Sequence, residues 1–164
     1  RLVSSAASDV YKRQPYKQYK NPDWSNYKIT GTYVNSIVAL QDAVAKGADE
    51  ALILDNDGYI SEGSGENIFF LKDGLIMTPT TKNCLNGITR QSVIEIAKGL
   101  GHKVEEGDWS YEHILECDEA FFTGTAVEVT PITKIDGKII SNGTVGSITK
   151  EIPVSYTHLR AHET

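Results

Sequence analysis

Four short segments of the sequence carry residue types that could do chemistry. Lys28 lies among strand formers, small hydroxyl residues and a glycine, and Glu62 lies in the glycine-rich stretch GYISEGSGENIFF between two apolar runs. Thr89 follows Gly87 at the start of a helical pattern, and Thr125 occupies a glycine turn. Because a buried carboxylate needs a compensating partner, Glu62 indicates a ligand with a positive group.

Together these groups are the parts that would hold a phosphorylated, cationic, aldehyde-bearing cofactor. The Lys28 amine can bond to the aldehyde, and Glu62 can pair with a protonated ring nitrogen. The backbone N–H groups of Ile88 and Thr89 at the helix start favour a phosphate, because the helix dipole also attracts an anion there. Thr125 can add a hydroxyl donor.

The elements that must position these groups predict an α+β fold. Apolar residues recur with helical spacing over 33–46 and over 89–100, where Thr89 is a suitable cap, and a short helix is expected after Ser110. Apolar runs separated by turns predict strands over 50–55, 59–60, 68–71, 75–77, 103–105, 120–122, 127–132 and 139–140. Because hairpins outnumber crossovers, we expect mainly antiparallel sheets with helices packed around them.

Each candidate residue also has a simpler interpretation. Lys28 can be a solvated surface lysine, and Tyr33 can serve helix packing alone. Glu62 can brace its own loop, while Thr89 and Thr125 can be a plain helix cap and a turn residue. Three neighbours are expected to brace loops or form ion pairs and are left out of the site: Glu66, Asn67 and Arg90.

The four segments, in this order, resemble the class IV (fold type IV) aminotransferases, which use pyridoxal phosphate. The matching motifs are KxxGxYxNS from Lys28, GYISEGSGENIFF, LNGITR and FFTGTAVEVTP. Within that family the pattern is most similar to the branched-chain amino acid aminotransferases, over residues 27–150. The resemblance implies the large domain of these enzymes, in which mainly antiparallel sheets form a pseudo-barrel surrounded by helices.

The resemblance also implies a role for each residue of the site. Lys28 is implied as the lysine that bonds to the cofactor and shuttles a proton, Tyr33 as a hydrogen-bond donor to the ring oxygen, and Glu62 as the partner of the ring nitrogen. The remaining implied contacts are to the phosphate from Ile88, Thr89 and Thr125, and to the substrate carboxylate from Thr125 and Ala126.

The activity that the resemblance implies belongs to the parent enzyme, a cytoplasmic homodimer. It is amino-group transfer between leucine, isoleucine or valine and 2-oxoglutarate. D-amino acid aminotransferases, amine transaminases and aminodeoxychorismate lyases share the cofactor motifs and stay as alternatives, as does a non-catalytic domain. In the family a small N-terminal domain supplies an arginine to the phosphate; with no such domain before Pro15, we expect this chain alone to be inactive.

The two ends of the chain predict a different origin. Residues 4–14, SSAASDVYKRQ, and residues 154–164, VSYTHLRAHET, can be encoded by one DNA word in opposite orientations. Both resemble adaptor ends used in transposase-based sequencing. We therefore predict disordered, adaptor-derived tails at 1–14 and 153–164 that flank an incomplete cofactor-binding domain at 15–152.

Charge and composition argue against several other functions. Of 16 basic and 22 acidic residues, 12 and 20 lie outside the tails, which leaves a net charge near -8 and no basic face for nucleic acid. No apolar run approaches the roughly 18 residues of a membrane span. His102 and His113 lack metal-ligand spacing, and Cys84 and Cys117 stand apart, so we expect no metal site and a cytoplasmic location.

Overall fold

The computed structural model describes residues 8–18, 27–82 and 84–153. Its helices are α1 (Tyr33–Ala45), α2 (Ile88–Gly99) and α3 (Tyr111–Leu115), with short 3-10 helices at Thr30–Thr32 and Ser141–Gly143 and a helical segment over 147–153. The strands are β1 (Ser8–Gln18), β2 (Glu50–Asp55), β3 (Ile60–Glu62), β4 (Asn67–Lys72), β5 (Leu75–Pro79), β6 (Lys103–Gly107), β7 (Glu119–Gly124), β8 (Glu128–Ile135) and β9 (Lys138–Ile139). Among these residues no helix is long and apolar enough to cross a membrane.

The nine described strands form one mixed sheet. Its order is β3-β2-β1-β8-β7-β4-β5-β6, and β9 pairs with β8. The pairs β1 with β2, β1 with β8 and β5 with β6 are parallel, and the other pairs are antiparallel. Strand β3 at one edge also contacts β4 and β5, so the sheet curls into a half-barrel. The prediction of an α+β fold with mainly antiparallel pairing is confirmed, although the strands share one sheet.

The inside of the curled sheet is a continuous apolar core. Alternating side chains of the strands point inward, as the two-residue period of a β-strand requires. Its members include Leu52, Leu54, Ile60, Ile68, Phe70 and Phe122. Each such side chain contributes about 1.5 to 3 kcal/mol on burial, so this core holds the strands that carry the candidate site.

The helices α1 and α2 pack on the outer surface of the sheet. Small residues of α1, including Ala39 and Ala43, lie against Ala51 and Ile53 of β2. Helix α2 places Val93 and Ala97 against β4 and β7, where the rings of Phe69 and Phe121 stack with centroids 5.2 Å apart. Both helices therefore have fixed positions relative to β3 and β4.

Strand β1 contradicts part of the predicted domain division. It runs from Ser8 to Gln18 and pairs in parallel with both β2 and β8. Val10 is fully buried in the inner core. The structure therefore differs from the predicted disorder at residues 8–14, because β2 and β8 supply pairing partners on both sides of this segment. Residues 1–7 and 154–164 lie outside the described part of the chain, and the DNA origin of both tails stays a prediction.

A buried carboxylate fixes the last helical segment, residues 147–153, onto β7. Glu119 Oε2 accepts hydrogen bonds from Thr149 N (2.9 Å) and Thr149 Oγ1 (2.8 Å), and Oε1 accepts from Ile148 N and Ser147 Oγ (both 3.3 Å). A Cβ on Gly146 would collide with the same carboxylate. Glu119 thus satisfies helix N–H groups that have no acceptor within the helix.

Replacing Glu119 with alanine is expected to lower the free energy of unfolding by about 2 to 3 kcal/mol, because it leaves several buried donors without an acceptor. Urea unfolding of the full-length protein measures the change. Glu116→Ala, at an exposed position beside α3, is the matched control and should change stability by no more than about 0.5 kcal/mol. Equal losses for the two variants would contradict the capping role.

Candidate active site

A β-bulge aims the Glu62 side chain. Strands β2 and β3 pair with Leu54 opposite Ile60 and Ile53 opposite Glu62. Regular pairing would put Ser61 opposite Ile53, so Ser61 is the extra residue of a bulge. Glu62 consequently lies on the same face of the sheet as Ile53, which packs against α1. Ile60 points into the inner core on the opposite face. Nothing in the spacing of the sequence predicts this change of face.

The Glu62 carboxylate is buried and held by the segment that leads into α2. Its side chain is 9% exposed, and Oε2 accepts a 2.8 Å hydrogen bond from Leu85 N. The Leu85 carbonyl accepts a 2.7 Å bond from Asn67 Nδ2. The bond from Leu85 N therefore orients the Glu62 carboxylate.

Helix α2 starts two residues earlier than predicted. Gly87 is the N-cap with an extended backbone (φ -67°, ψ 144°), and Ile88 is the first helical residue. Thr89 was predicted to cap the helix; this is wrong, because it is the second helical residue and its side chain is buried. The reason is steric: Asn67 Oδ1 occupies the space that a Cβ on Gly87 would need, so the chain enters the helix through glycine.

Helix α2 begins three residues after Leu85, whose N–H group bonds to Glu62. Groups at the start of a helix have no acceptor within the helix and attract anions. The side chain of Ile88 is 80% exposed, so this end of α2 faces outward. The structure therefore bonds Glu62 to Leu85, three residues before Ile88, the first residue of α2.

The turn that contains Thr125 and Ala126 lies against the glycine loop after Glu62. Both residues are exposed in the turn between β7 and β8. A Cβ on Gly124 would lie 3.9 Å from Gly65 O and 3.9 Å from Glu66 Cγ. The predicted substrate turn and the loop of the predicted ring-nitrogen partner are therefore neighbours.

Lys28 and Tyr33 form a second group at the start of α1. Lys28 is exposed, and its Nζ lies 6.0 Å from the centroid of the Tyr33 ring, within cation–π range. Thr32 orders the intervening turn by donating to Ile29 O from Oγ1 (2.7 Å) and N (3.1 Å). Among the described residues no hydrogen bond or ion pair joins Lys28 to Glu62; the packing of α1 on β2 sets their relative position.

The glycine loop also holds a carboxyl group with a perturbed pKa. Burial, and to a smaller extent the nearby Glu50 carboxylate, raises the pKa of Glu66 to about 7. Glu50 itself braces the loop, because its Oε1 accepts from Ser64 N at 3.0 Å and from Ala51 N at 2.7 Å. Glu66 therefore changes charge near neutral pH beside the Gly124 turn.

The raised pKa of Glu66 predicts a pH-dependent stability. In the folded state Glu66 holds its proton up to about pH 7, above the range of an unfolded glutamate. Its contribution to stability is therefore complete in acid and is lost as the pH rises through about 7. Glu66→Gln should gain stability relative to wild type on going from pH 5 to pH 8, as measured by urea unfolding. The exposed Glu95→Gln on α2 should show no such trend.

Comparisons with known proteins agree with this geometry. Residues 3–135 match the profile of the family described as amino-transferase class IV. The chain belongs to the class IV aminotransferases. The chain is 45% identical over 148 residues to the branched-chain-amino-acid aminotransferase of Pseudomonas aeruginosa, covering 90% of this chain and 48% of that protein. It spans about half the length of the curated relatives it matches.

Solved class IV structures share the fold. The Escherichia coli branched-chain amino acid aminotransferase has a TM-score of 0.89 and 38% identity, with 93% of this chain and 52% of that chain covered. A branched-chain amino acid aminotransferase from T.th., complexed with N-(5'-phosphopyridoxyl)-L-glutamate, has a TM-score of 0.86 and 41% identity, with 93% and 50% covered. Both confirm the predicted family and fold.

Two residues outside the predicted site, Asn67 and Arg90, hold segments around the start of α2. Asn67 contacts Leu85 and Gly87, and Arg90 donates from Nη2 to Pro79 O (2.8 Å) and to Glu106 Oε2 (2.5 Å). These contacts agree with the expectations that Asn67 braces a loop and that Arg90 forms an ion pair at the start of a helix. The position of Asn67 beside the glycine-rich loop is visible in the sequence. Its contacts with Leu85 and Gly87 are not, because these residues are distant in the chain.

Proposed function

We propose that the full-length protein transfers an amino group between a branched-chain amino acid (leucine, isoleucine or valine) and 2-oxoglutarate, with pyridoxal phosphate as cofactor. The observation that carries this proposal is the buried Glu62 carboxylate bonded to Leu85, at the entrance to a helix whose first N–H groups face outward. One end of this arrangement suits a cationic ring nitrogen and the other suits a phosphate.

Orphaned polar atoms support the fit of such a cofactor. Among the described residues, the buried side-chain atoms without a hydrogen-bond partner are Arg90 Nε and Thr123 Oγ1. Arg90 lies in the first turn of α2, and Thr123 pairs with Asn67 and precedes the Gly124 turn. Buried polar groups rarely stay unsatisfied. Their position around the α2 start favours a polar ligand there.

Pyridoxal phosphate, when bound, draws electrons from the reacting carbon of the amino acid. The chain's own residues would then bind and orient it and move one proton. Glu62 keeps a positive charge favourable at the ring nitrogen, and the N–H groups of Ile88 and Thr89 with the Thr125 hydroxyl hold the phosphate. Lys28 takes and returns the substrate proton at Nζ, for which the amine must be neutral. Tyr33 donates to the ring oxygen, and the backbone of Thr125 and Ala126 lies near the substrate carboxylate.

Substrate class is tested by amino donors. The full-length protein from the source locus should use leucine, isoleucine and valine with 2-oxoglutarate, and should use D-alanine and aminodeoxychorismate poorly. The support is similarity to aminotransferases named for branched-chain substrates, one of them complexed with a phosphopyridoxyl adduct of glutamate. No turnover of the three branched-chain amino acids would refute this substrate class and leave the cofactor proposal standing.

Three further proposals concern the activity of the 164-residue chain alone and the location and oligomeric state of the full-length protein. We propose that it is a cytoplasmic homodimer, which sedimentation and cell fractionation test. The described part of α1 supports a covered surface, since Val34, Ile37 and Val44 are more than half exposed. We also propose that the 164-residue chain alone binds cofactor weakly and does not turn over. Turnover by the chain alone at the rate of the full-length protein would contradict this.

The origin of the two ends is a separate proposal. We propose that residues 1–14 and 153–164 derive from sequencing adaptors and that 15–152 is the natural part of the chain. The support is the shared DNA word in opposite orientations. Resequencing the source locus should find neither DVYKRQ nor VSYTHL next to this gene. Finding either one there would overturn the adaptor origin for that end.

A further inference from the structure

The backbone of Leu85 forms hydrogen bonds with two buried side chains. Its N–H donates to Glu62 Oε2 at 2.8 Å, and its carbonyl accepts from Asn67 Nδ2 at 2.7 Å. Glu62 and Asn67 are both buried and belong to neighbouring strand segments, β3 and β4. The backbone of one residue, Leu85, therefore links the carboxylate of the site with an amide that no part of the proposed chemistry uses.

The other end of the same amide sets the entrance to α2. Asn67 Oδ1 fills the space beside Gly87, where any Cβ would collide with it. Gly87 is the N-cap, and its carbonyl accepts from Gln91 N at 3.0 Å to close the first helical turn. The orientation of the first N–H groups of α2 thus depends on the segment between Leu85 and Gly87, and that segment depends on Asn67.

Asn67 is itself rigidly placed. It opposes Thr123 in the antiparallel pairing of β4 with β7, so its backbone is fixed by the sheet. Its amide supplies a donor to one partner and places an oxygen beside the other, which neither aspartate nor alanine can do. Aspartate would set two oxygens against each other at the Leu85 carbonyl. Alanine would remove one of the two donors to that carbonyl and leave only Gly87 N, at 2.9 Å.

We infer that Asn67 is a positioning residue that ties the Glu62 carboxylate to the anion-binding start of α2 and so sets the phosphate end of the cofactor site. The inference rests on the proposed function, because it assumes that pyridoxal phosphate occupies this site. Asn67 acts through Leu85 and Gly87 and not by touching the cofactor. Its loss should therefore weaken contacts to the phosphate more than contacts to the ring.

Two forms of the cofactor separate these effects. We would measure the affinity of the full-length protein for pyridoxal phosphate and for pyridoxal, which lacks the phosphate, by absorbance titration. Asn67→Ala should weaken pyridoxal phosphate binding about tenfold, the upper end of the effect of losing one hydrogen bond. Pyridoxal binding should weaken no more than about threefold, below the effect of one typical hydrogen bond.

Two further variants test whether the effect is specific to the Asn67 amide. One changes only its donor, and the other changes a residue next to Leu85 in the loop before α2. Asn67→Asp keeps an oxygen beside Gly87 and removes the donor to Leu85, so it should also reduce the preference for the phosphorylated form. Asn86→Ala removes an exposed side chain from the same loop and should bind both forms as wild type does.

The outcomes are separable. Failure of the wild-type protein to bind pyridoxal phosphate would refute the proposed function itself. If wild type binds it and the Asn67 variants lose both forms equally, Asn67 has only a general structural role and the inference is wrong. Unchanged affinity for both forms in Asn67→Ala and Asn67→Asp would overturn it as well.

Discussion

Lys28→Ala in the full-length protein is expected to remove the lysine-dependent absorption band near the visible edge after addition of pyridoxal phosphate. It should also lower kcat with leucine by about 10³-fold or more, because proton transfer by a positioned group alone contributes 10²- to 10⁴-fold and the covalent attachment is lost with it. Lys28 is exposed beside the Tyr33 ring at the start of α1, so its replacement removes no buried contact of the core. Folding should therefore be unaffected.

A surface lysine at the opposite end of α1 is the control. Lys46 ends α1 and lies 3.8 Å from Asp42 in an exposed ion pair, which typically contributes no more than about 1 kcal/mol. Lys46→Ala should keep the absorption band and the activity. If Lys28→Ala forms the band as well as wild type does, Lys28 is not the attachment site and the assignment of the whole α1 group is wrong.

Replacement of Glu62 is expected to have the second large effect on activity. Two substitutions separate the loss of its charge from the loss of its hydrogen bond to Leu85. Glu62→Gln can still accept the Leu85 N–H bond, since its amide oxygen takes the place of Oε2. It loses the negative charge at the ring nitrogen, so kcat should fall about 10²- to 10³-fold, as for other preorganised electrostatic contacts. Affinity for pyridoxal phosphate should change little.

Glu62→Ala should show both losses. Without an acceptor for Leu85 N, the entrance to α2 is no longer held from the Glu62 side, and pyridoxal phosphate should bind about tenfold more weakly than to Glu62→Gln. Steady-state kinetics with leucine and absorbance titration measure the two effects. Wild-type kcat in Glu62→Gln would contradict a contact between this carboxylate and the ring.

Local patterns were sufficient to predict most elements of the fold. The helical spacing over 33–46 corresponds to α1, and the apolar run 50–55 to β2, because a buried face leaves a clear period in the sequence. Hairpin turns likewise predicted the β4–β5 and β8–β9 pairs. The parallel pairing of β1 with β2 and β8 left no such local signal, and the segment had been excluded as adaptor.

The sequence predicts which residues are candidates for the site, but it does not predict how their side chains are oriented. The motifs marked Lys28, Glu62 and Thr125, but the bulge at Ser61 that turns Glu62 away from the core depends on pairing with β2. Thr89 was assigned as a cap because its residue type suits that position, and the observed start at Gly87 depends on the distant Asn67. Contacts between residues far apart in sequence are what composition and spacing do not encode.

The most direct test of the account is to locate the cofactor on the chain. The full-length protein would be incubated with pyridoxal phosphate, reduced with borohydride, digested and analysed by mass spectrometry. We expect the phosphopyridoxyl group on the peptide that contains Lys28, in the segment YKITGTY, and on no other lysine at comparable yield. A label on a different lysine, or none under conditions where a known class IV aminotransferase is labelled, would contradict the assignment of this domain as the cofactor site.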